Sequence, residues 1–136
     1  RRGVVSKIKV DGLRVENVNQ KLFDLAIFRS IYSEDGTGDS REIKSLYLNG
    51  IWDNVLAVAE EEKEMHSKYR GGIKDVTLKN VSVVDGPVPF SVFCGSDINH
   101  QIENITIEGL SFHGKNINYI IDAKLYLENT KNIIIR

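Results

Sequence analysis

Much that would assign a class is missing from this chain. Cys94 is the only cysteine among its 136 residues, so no internal disulfide can staple the fold. No long basic run exists and the net charge is −1, which argues against nucleic acid and against an anionic membrane as partners. No apolar run approaches the ~20 residues that span a bilayer. The N-terminus, Arg1 to Val5, carries neither a methionine nor a signal peptide. Neither end carries the atypical capping repeat with which repetitive folds usually finish. The expectation is therefore a single segment over residues 1–136, the C-terminal part of a longer chain.

What is present is one phrase written several times. Apolar and polar residues alternate, the chain turns at a small residue, and the alternation resumes. Aligned on the first core residue, the copies begin at Ile8, Leu46, Val76, Ile105 and Ile133, separated by 38, 30, 29 and 28 residues. Two positions on stand Val10, Leu48, Leu78, Ile107 and Ile135. Four on stand Gly12, Gly50, Asn80 and Gly109, residues that tolerate a turn. Five on stand Leu13, Ile51, Val81 and Leu110. Alternation sends successive side chains to opposite faces of a strand. Self-similarity at this period indicates stacked repeats.

A third apolar segment follows most copies, as at 22–28, 89–94 and 117–125. Three strands per repeat predict three parallel sheets around a core of like residues in columns. The leucine-rich repeat fits less well, because Val and Ile stand where that pattern needs Leu. Two stretches break the rhythm. Residues 29–42 are polar and contain DGTGD at 35–39, a surface loop by composition. Residues 59–69 are rich in helix formers and predict one or two helical turns. In the second copy the template puts Asp53 inside and Trp52 outside, which predicts a bulge or an exposed tryptophan.

The phrases DVTLKNVSV at 75–83 and NITIEGLSF at 104–112 resemble the coil idiom of the right-handed parallel β-helix in the pectin-lyase-like superfamily. GGIKDVTLKNV at 71–81 and GSDINHQIENITIEGL at 95–110 are similar to the C-terminal coils of bacterial polygalacturonase-type glycoside hydrolases. The resemblance implies an all-β solenoid of about four to five coils, incomplete at its ends. It implies a secreted or periplasmic bacterial protein acting by hydrolysis on polysaccharide, pectin or another uronic-acid glycan among the candidates. A polysaccharide lyase and a non-catalytic glycan-binding or structural β-helix are the alternatives. Further partners expected are the remainder of the chain or a neighbouring protomer at the coil ends. The hydrolase motifs Asn-Thr-Asp, Asp-Asp, Gly-His-Gly and Arg-Ile-Lys are absent. IFRS at 27–30 keeps only the arginine of the last. The main catalytic carboxylates are thus expected outside this segment.

Within it, glycoside hydrolysis would need two carboxyl groups about 5–9.5 Å apart. Asp97 and Asp122 are the candidates, with His100 three residues after Asp97 as an acid or base. The same Asp97–His100 spacing can instead fix a tight loop. Arg29, Lys68, Arg70 and Lys124 are candidates to hold an anionic sugar, because guanidinium and ammonium groups pair with carboxylates. Trp52, Tyr32 and Tyr69 are candidates to stack on sugar rings. His66 follows Glu62 by four, which would align them on a helix, but two ligands do not make a metal site. No cofactor is expected. The alternative is calcium at the 35–39 loop, which lacks EF-hand spacing. Cys94, in an apolar strand, is expected in the core.

Overall fold

The computed structural model describes residues 3–37, 55–56 and 58–136. Among these residues nine strands follow one another: β1 (Val4–Glu16), β2 (Asp24–Ala26), β3 (Gly72–Asp85), β4 (Ser91–Cys94), β5 (Ile102–Glu108), β6 (Leu110–Phe112), β7 (Lys115–Ile117), β8 (Leu125–Glu128) and β9 (Thr130–Ile135). Between β2 and β3 lies helix α1 (Lys63–Ser67), entered through a 3₁₀ turn at Glu60–Glu62.

The alternation in the sequence decides what each strand buries. In β3, Val76 and Leu78 point inward while Thr77 and Lys79 face out. Asn80 then takes φ 53°, and the inward set resumes at Val81 and Val83. Gly12 and Gly109 occupy the same place in β1 and just after β5, with φ 88° and 68°. A left-handed residue at this point bends the chain and moves the apolar face by one position. A second left-handed column runs through Lys7, Asp75, Asn104 and Asn132, with φ between 56° and 58°. Three of its members are joined by hydrogen bonds, Asn132 Nδ2 to Asn104 Oδ1 at 2.9 Å and Asn104 Nδ2 to Asp75 Oδ1 at 3.0 Å.

Equivalent strands of the repeat are parallel neighbours. Ile8, Val76, Ile105 and Ile133 are successive partners in the main sheet. The small sheet has the order β2-β4-β8, also parallel. Because each long strand is bent, the main sheet curls about the core. Phe93 from the small sheet, with Val81, Ile105 and Ile107 from the main one, is fully buried there. Each such side chain contributes about 1.5–3 kcal/mol by leaving water.

The expected right-handed parallel β-helix is corrected by this arrangement. The chain is predominantly β, but its main sheet is mixed and forms a nearly closed barrel, with the small sheet separate. Among the described residues there are two sheets rather than three. β7 turns back antiparallel on β6, pairing Leu110 with Ile117 and Phe112 with Lys115. His113 and Gly114 make that turn with φ 50° and 79°. Two successive left-handed residues form the tight hairpin turn whose twist suits antiparallel strands. The chain therefore makes a hairpin at His113 and Gly114 instead of continuing a coil. Alternation could not reveal this, since parallel and antiparallel neighbours bury the same faces. The expected column also passes from Ile8 to Val76 with no strand between, because β1 and β3 pair directly. Leu46, Trp52 and Asp53 lie outside the described residues. The resemblance to the pectin-lyase-like superfamily falls with the solenoid on which it rested.

Candidate functional site

Two excursions from the sheets meet beside the small sheet. One is the segment after β2, comprising a loop at 30–37 and then α1. The other is the loop at 95–101 between β4 and β5. The backbone ties them to the sheets: Ile27 N donates to Cys94 O at 2.9 Å and Gly95 N to Glu128 O at 2.8 Å. Gly95 is required where it stands. A Cβ there would lie 2.6 Å from His100 O and would also collide with Asn129 O.

Asp35 is the hub of the first excursion. Its side chain is 3% exposed. It accepts hydrogen bonds from Ser33 Oγ at 2.8 Å, from His66 Nδ1 at 2.8 Å and from Arg70 Nη2. Arg29 Nε donates to its backbone carbonyl at 2.9 Å. Burial alone would raise the Asp35 carboxyl. The bonds from Ser33 and His66 and the Arg70 guanidinium outweigh it and hold the group below its ordinary value. With Nδ1 on Asp35, His66 Nε2 faces Glu62 Oε2 at 3.7 Å. His66 and Arg70 reach one carboxylate because α1 and the turn after it put residues four apart on one side.

Arg70 is buried, and its guanidinium is only partly used. Nη2 meets Asp35, while Nε and Nη1 are buried and have no hydrogen-bond partner among the described residues. Each buried donor left unmatched costs about 1–3 kcal/mol. Clefts open on two sides of this residue. One, of ≈ 660 Å³, is lined by Glu34, Lys68, Tyr69, Arg70, Asn99 and His100, among others. The other, of ≈ 420 Å³, is lined by Arg29, Lys63, His66, Arg70, Asp97 and Glu128, among others.

The second excursion is closed by a three-residue knot. Ser67 Oγ donates to Asp97 Oδ2 at 2.7 Å and lies 3.2 Å from His100 Nδ1. His100 Nδ1 lies 2.9 Å from Asp97 Oδ1, which also accepts Asn99 N at 2.9 Å. Burial would raise the Asp97 carboxyl, but the bonds from Ser67, His100 and Asn99 bring it below its ordinary value. Ser67 and His100 meet at the same ring nitrogen that faces Asp97. The knot therefore does not pass a proton from hydroxyl to imidazole to carboxylate in series, as an acyl-transfer triad requires. It fastens α1 to the 95–101 loop.

The sequence candidates divide accordingly. Asp97, His100, Arg29, Lys68 and Arg70 all line one or other cleft. Lys68 Nζ also stands 5.1 Å from the centre of the Tyr69 ring. Asp122 is exposed at the end of the 3₁₀ turn Ile120–Asp122 and lines neither cleft. Lys124 lines neither cleft and donates to Val88 O at 3.3 Å. Tyr32 is 82% exposed. Trp52 and Asp39 lie outside the described residues. Among those described, no three His, Cys, Asp or Glu are grouped to hold a metal ion. Asp35 instead faces two basic side chains.

Sequence reading missed Asp35 as a hub, and with it Ser33 and Ser67. The available signal was the HSKYR spacing, which aligns His66 with Arg70 and raises the question of what neutralises them. Comparison with protein-family models, with curated proteins and with solved structures finds no match. The glycoside hydrolase expectation came with the fold resemblance, and the mixed sheet removes that support.

Proposed function

We propose that the chain is a binding domain for a carboxylate-bearing saccharide, seated in the clefts beside Arg70. The buried guanidinium, with two donor nitrogens unmatched among the described residues, carries this reading. A carboxylate is the natural acceptor for such a group, and a charge-assisted bond is about twice as strong as a neutral one. Lys68 and His100 add donors along the larger cleft, and Tyr69 adds a ring on which a sugar face can rest. The small overall charge of −1 fits local recognition of an anion rather than a broad cationic field.

The test is calorimetric titration with a uronic-acid oligosaccharide and with its carboxyl-reduced, neutral counterpart. The acidic sugar is expected to bind at least about tenfold tighter, a difference of about 1.4 kcal/mol. Its affinity should fall with added salt, since part of the site is open to solvent. Lys68→Ala, a change outside the buried pair, should weaken the acidic ligand and leave the neutral one unchanged. Equal affinity for the two sugars, or no binding of either, removes the proposal.

A further inference from the structure

Among the described residues both sheets end in strands with one unpaired edge. In the main sheet β1 pairs only with β3 and β9 only with β5, among the described residues. In the small sheet β2 and β8 are the outer strands. Among the described residues β1, β3, β5 and β9 form a row of parallel neighbours, with β1 at its first end and β9 at its last. At the first end Val4, Val5, Ile8 and Leu13 are exposed, with Val4 at 55%. At the last end Ile134 is exposed. A long strand edge with exposed apolar residues is a template for another strand.

We propose that a second copy of this chain covers these ends, β9 of one molecule pairing in parallel with β1 of the next. The occupant is read from the column of charges along the sheet. Asp11 is the partner of Lys79, and Lys79 is the partner of Glu108. Arg136 follows in line, its Nη2 3.7 Å from Glu108 Oε2. The signs run minus, plus, minus, plus. In the next molecule the residue due at that place is Asp11, which continues the alternation.

The same register continues the other columns. Ile133 meets the next Ile8, and Ile135 meets the next Val10, so the apolar core runs through the junction. Asn132 ends the polar ladder with its Oδ1 not used in the bond to Asn104. Lys7 of the next molecule arrives there with an ammonium donor. A shift of one residue would turn every inward side chain out, so the register is strongly specified. The contact is head to tail. Repetition gives open chains of molecules rather than a closed dimer.

Sedimentation velocity on the full chain over a range of concentrations tests this. The expected result is mass that grows with concentration beyond the dimer. Asp11→Arg and Arg136→Asp should each weaken association about tenfold, while the double variant regains it. Each exchange also faces its own neighbours, Lys79 or Glu108, within one molecule. Recovery in the double variant therefore reports a contact between molecules. Circular dichroism checks that all four forms are folded, and both side chains are at the surface, where exchanges cost little. A monomer at every concentration overturns the proposal. So does association that is equal in all four forms, or a double variant that stays as weak as the single ones. Neither substituted residue, Asp11 or Arg136, lines a cleft at Arg70.

Discussion

Arg70 and Asp35 form an ion pair in which each side chain is only 3% exposed. They are joined across 35 residues of sequence. The pair closes the excursion between β2 and β3 onto itself. Removing one member of a buried pair leaves the other charged and unmatched, which costs about 3–5 kcal/mol. Arg70→Met and Asp35→Leu should each lower the urea-unfolding free energy by about that amount. The double variant should lose less than the sum, because neither charge is then left behind. Additive losses would mean that the two groups act separately.

Stability should fall at acid pH through Asp35 and Asp97. Both carboxyls are held below their ordinary values in the fold. A group depressed in the folded state stabilises above its unfolded pKa, about 3.9 for aspartate. The contribution is lost as pH drops through that value towards the lower, folded one. Thermal melts between neutrality and about pH 3 should therefore steepen below about pH 5. In Asp35→Asn that dependence should be shallower, although the variant is less stable throughout. An unchanged slope would show that Asp35 is not a source of it.

Gly95→Ala should destabilise although it adds a single methyl group. The new Cβ would be 2.6 Å from His100 O. The 95–101 loop must move away, and with it the knot of Ser67, Asp97 and His100. Overpacking of this kind costs about 1–3 kcal/mol. The change should also loosen α1, read as faster amide exchange at Ser67 to Arg70. Gly12→Ala is the control, because beyond its chain neighbours no atom of the described residues lies within 4 Å of a Cβ at Gly12. It should show only the cost of positive φ, about 1–2 kcal/mol, and no change at α1.

Cys94 should be unreactive in the folded protein. The thiol is buried at 3% exposure. Burial, then the Glu128 carboxylate with Oε2 3.6 Å from Sγ, pushes it up to about 12. Thiolate, not thiol, attacks disulfide reagents. Labelling at pH 8 should therefore proceed at the rate of unfolding and accelerate with urea. Rapid labelling of the native protein would place Cys94 in contact with solvent.

How much of this was legible can be argued from a few residues. The inward set of Val76, Leu78, Ile105 and Ile107 follows from alternation, and all four are buried. The turn positions at Gly12, Asn80 and Gly109 follow from residue type, and all three have positive φ. The second left-handed column, through Asp75 and Asn104, was not anticipated. Asp and Asn also suit ordinary outward strand positions, so composition there decides nothing. His113 and Gly114 carried a hairpin signal that the surrounding repeat masked.

The contacts of the site were less legible than the buried faces of the strands. Asp97 and His100 are near in sequence, and they do bond. Asp35 and His66 are 31 residues apart, and no spacing rule connects a loop to a helix over that distance. The sequence alone determined which side chains are apolar, which face of each strand they take and where the backbone must turn. Those are local properties, set by sterics and by alternation within a few residues. The tertiary structure decided which strands neighbour one another, that β7 folds back on β6, and that Asp35 meets both His66 and Arg70. Such pairings depend on where chain segments end up in space, and apolar burial, having no direction, does not choose among partners that present the same face.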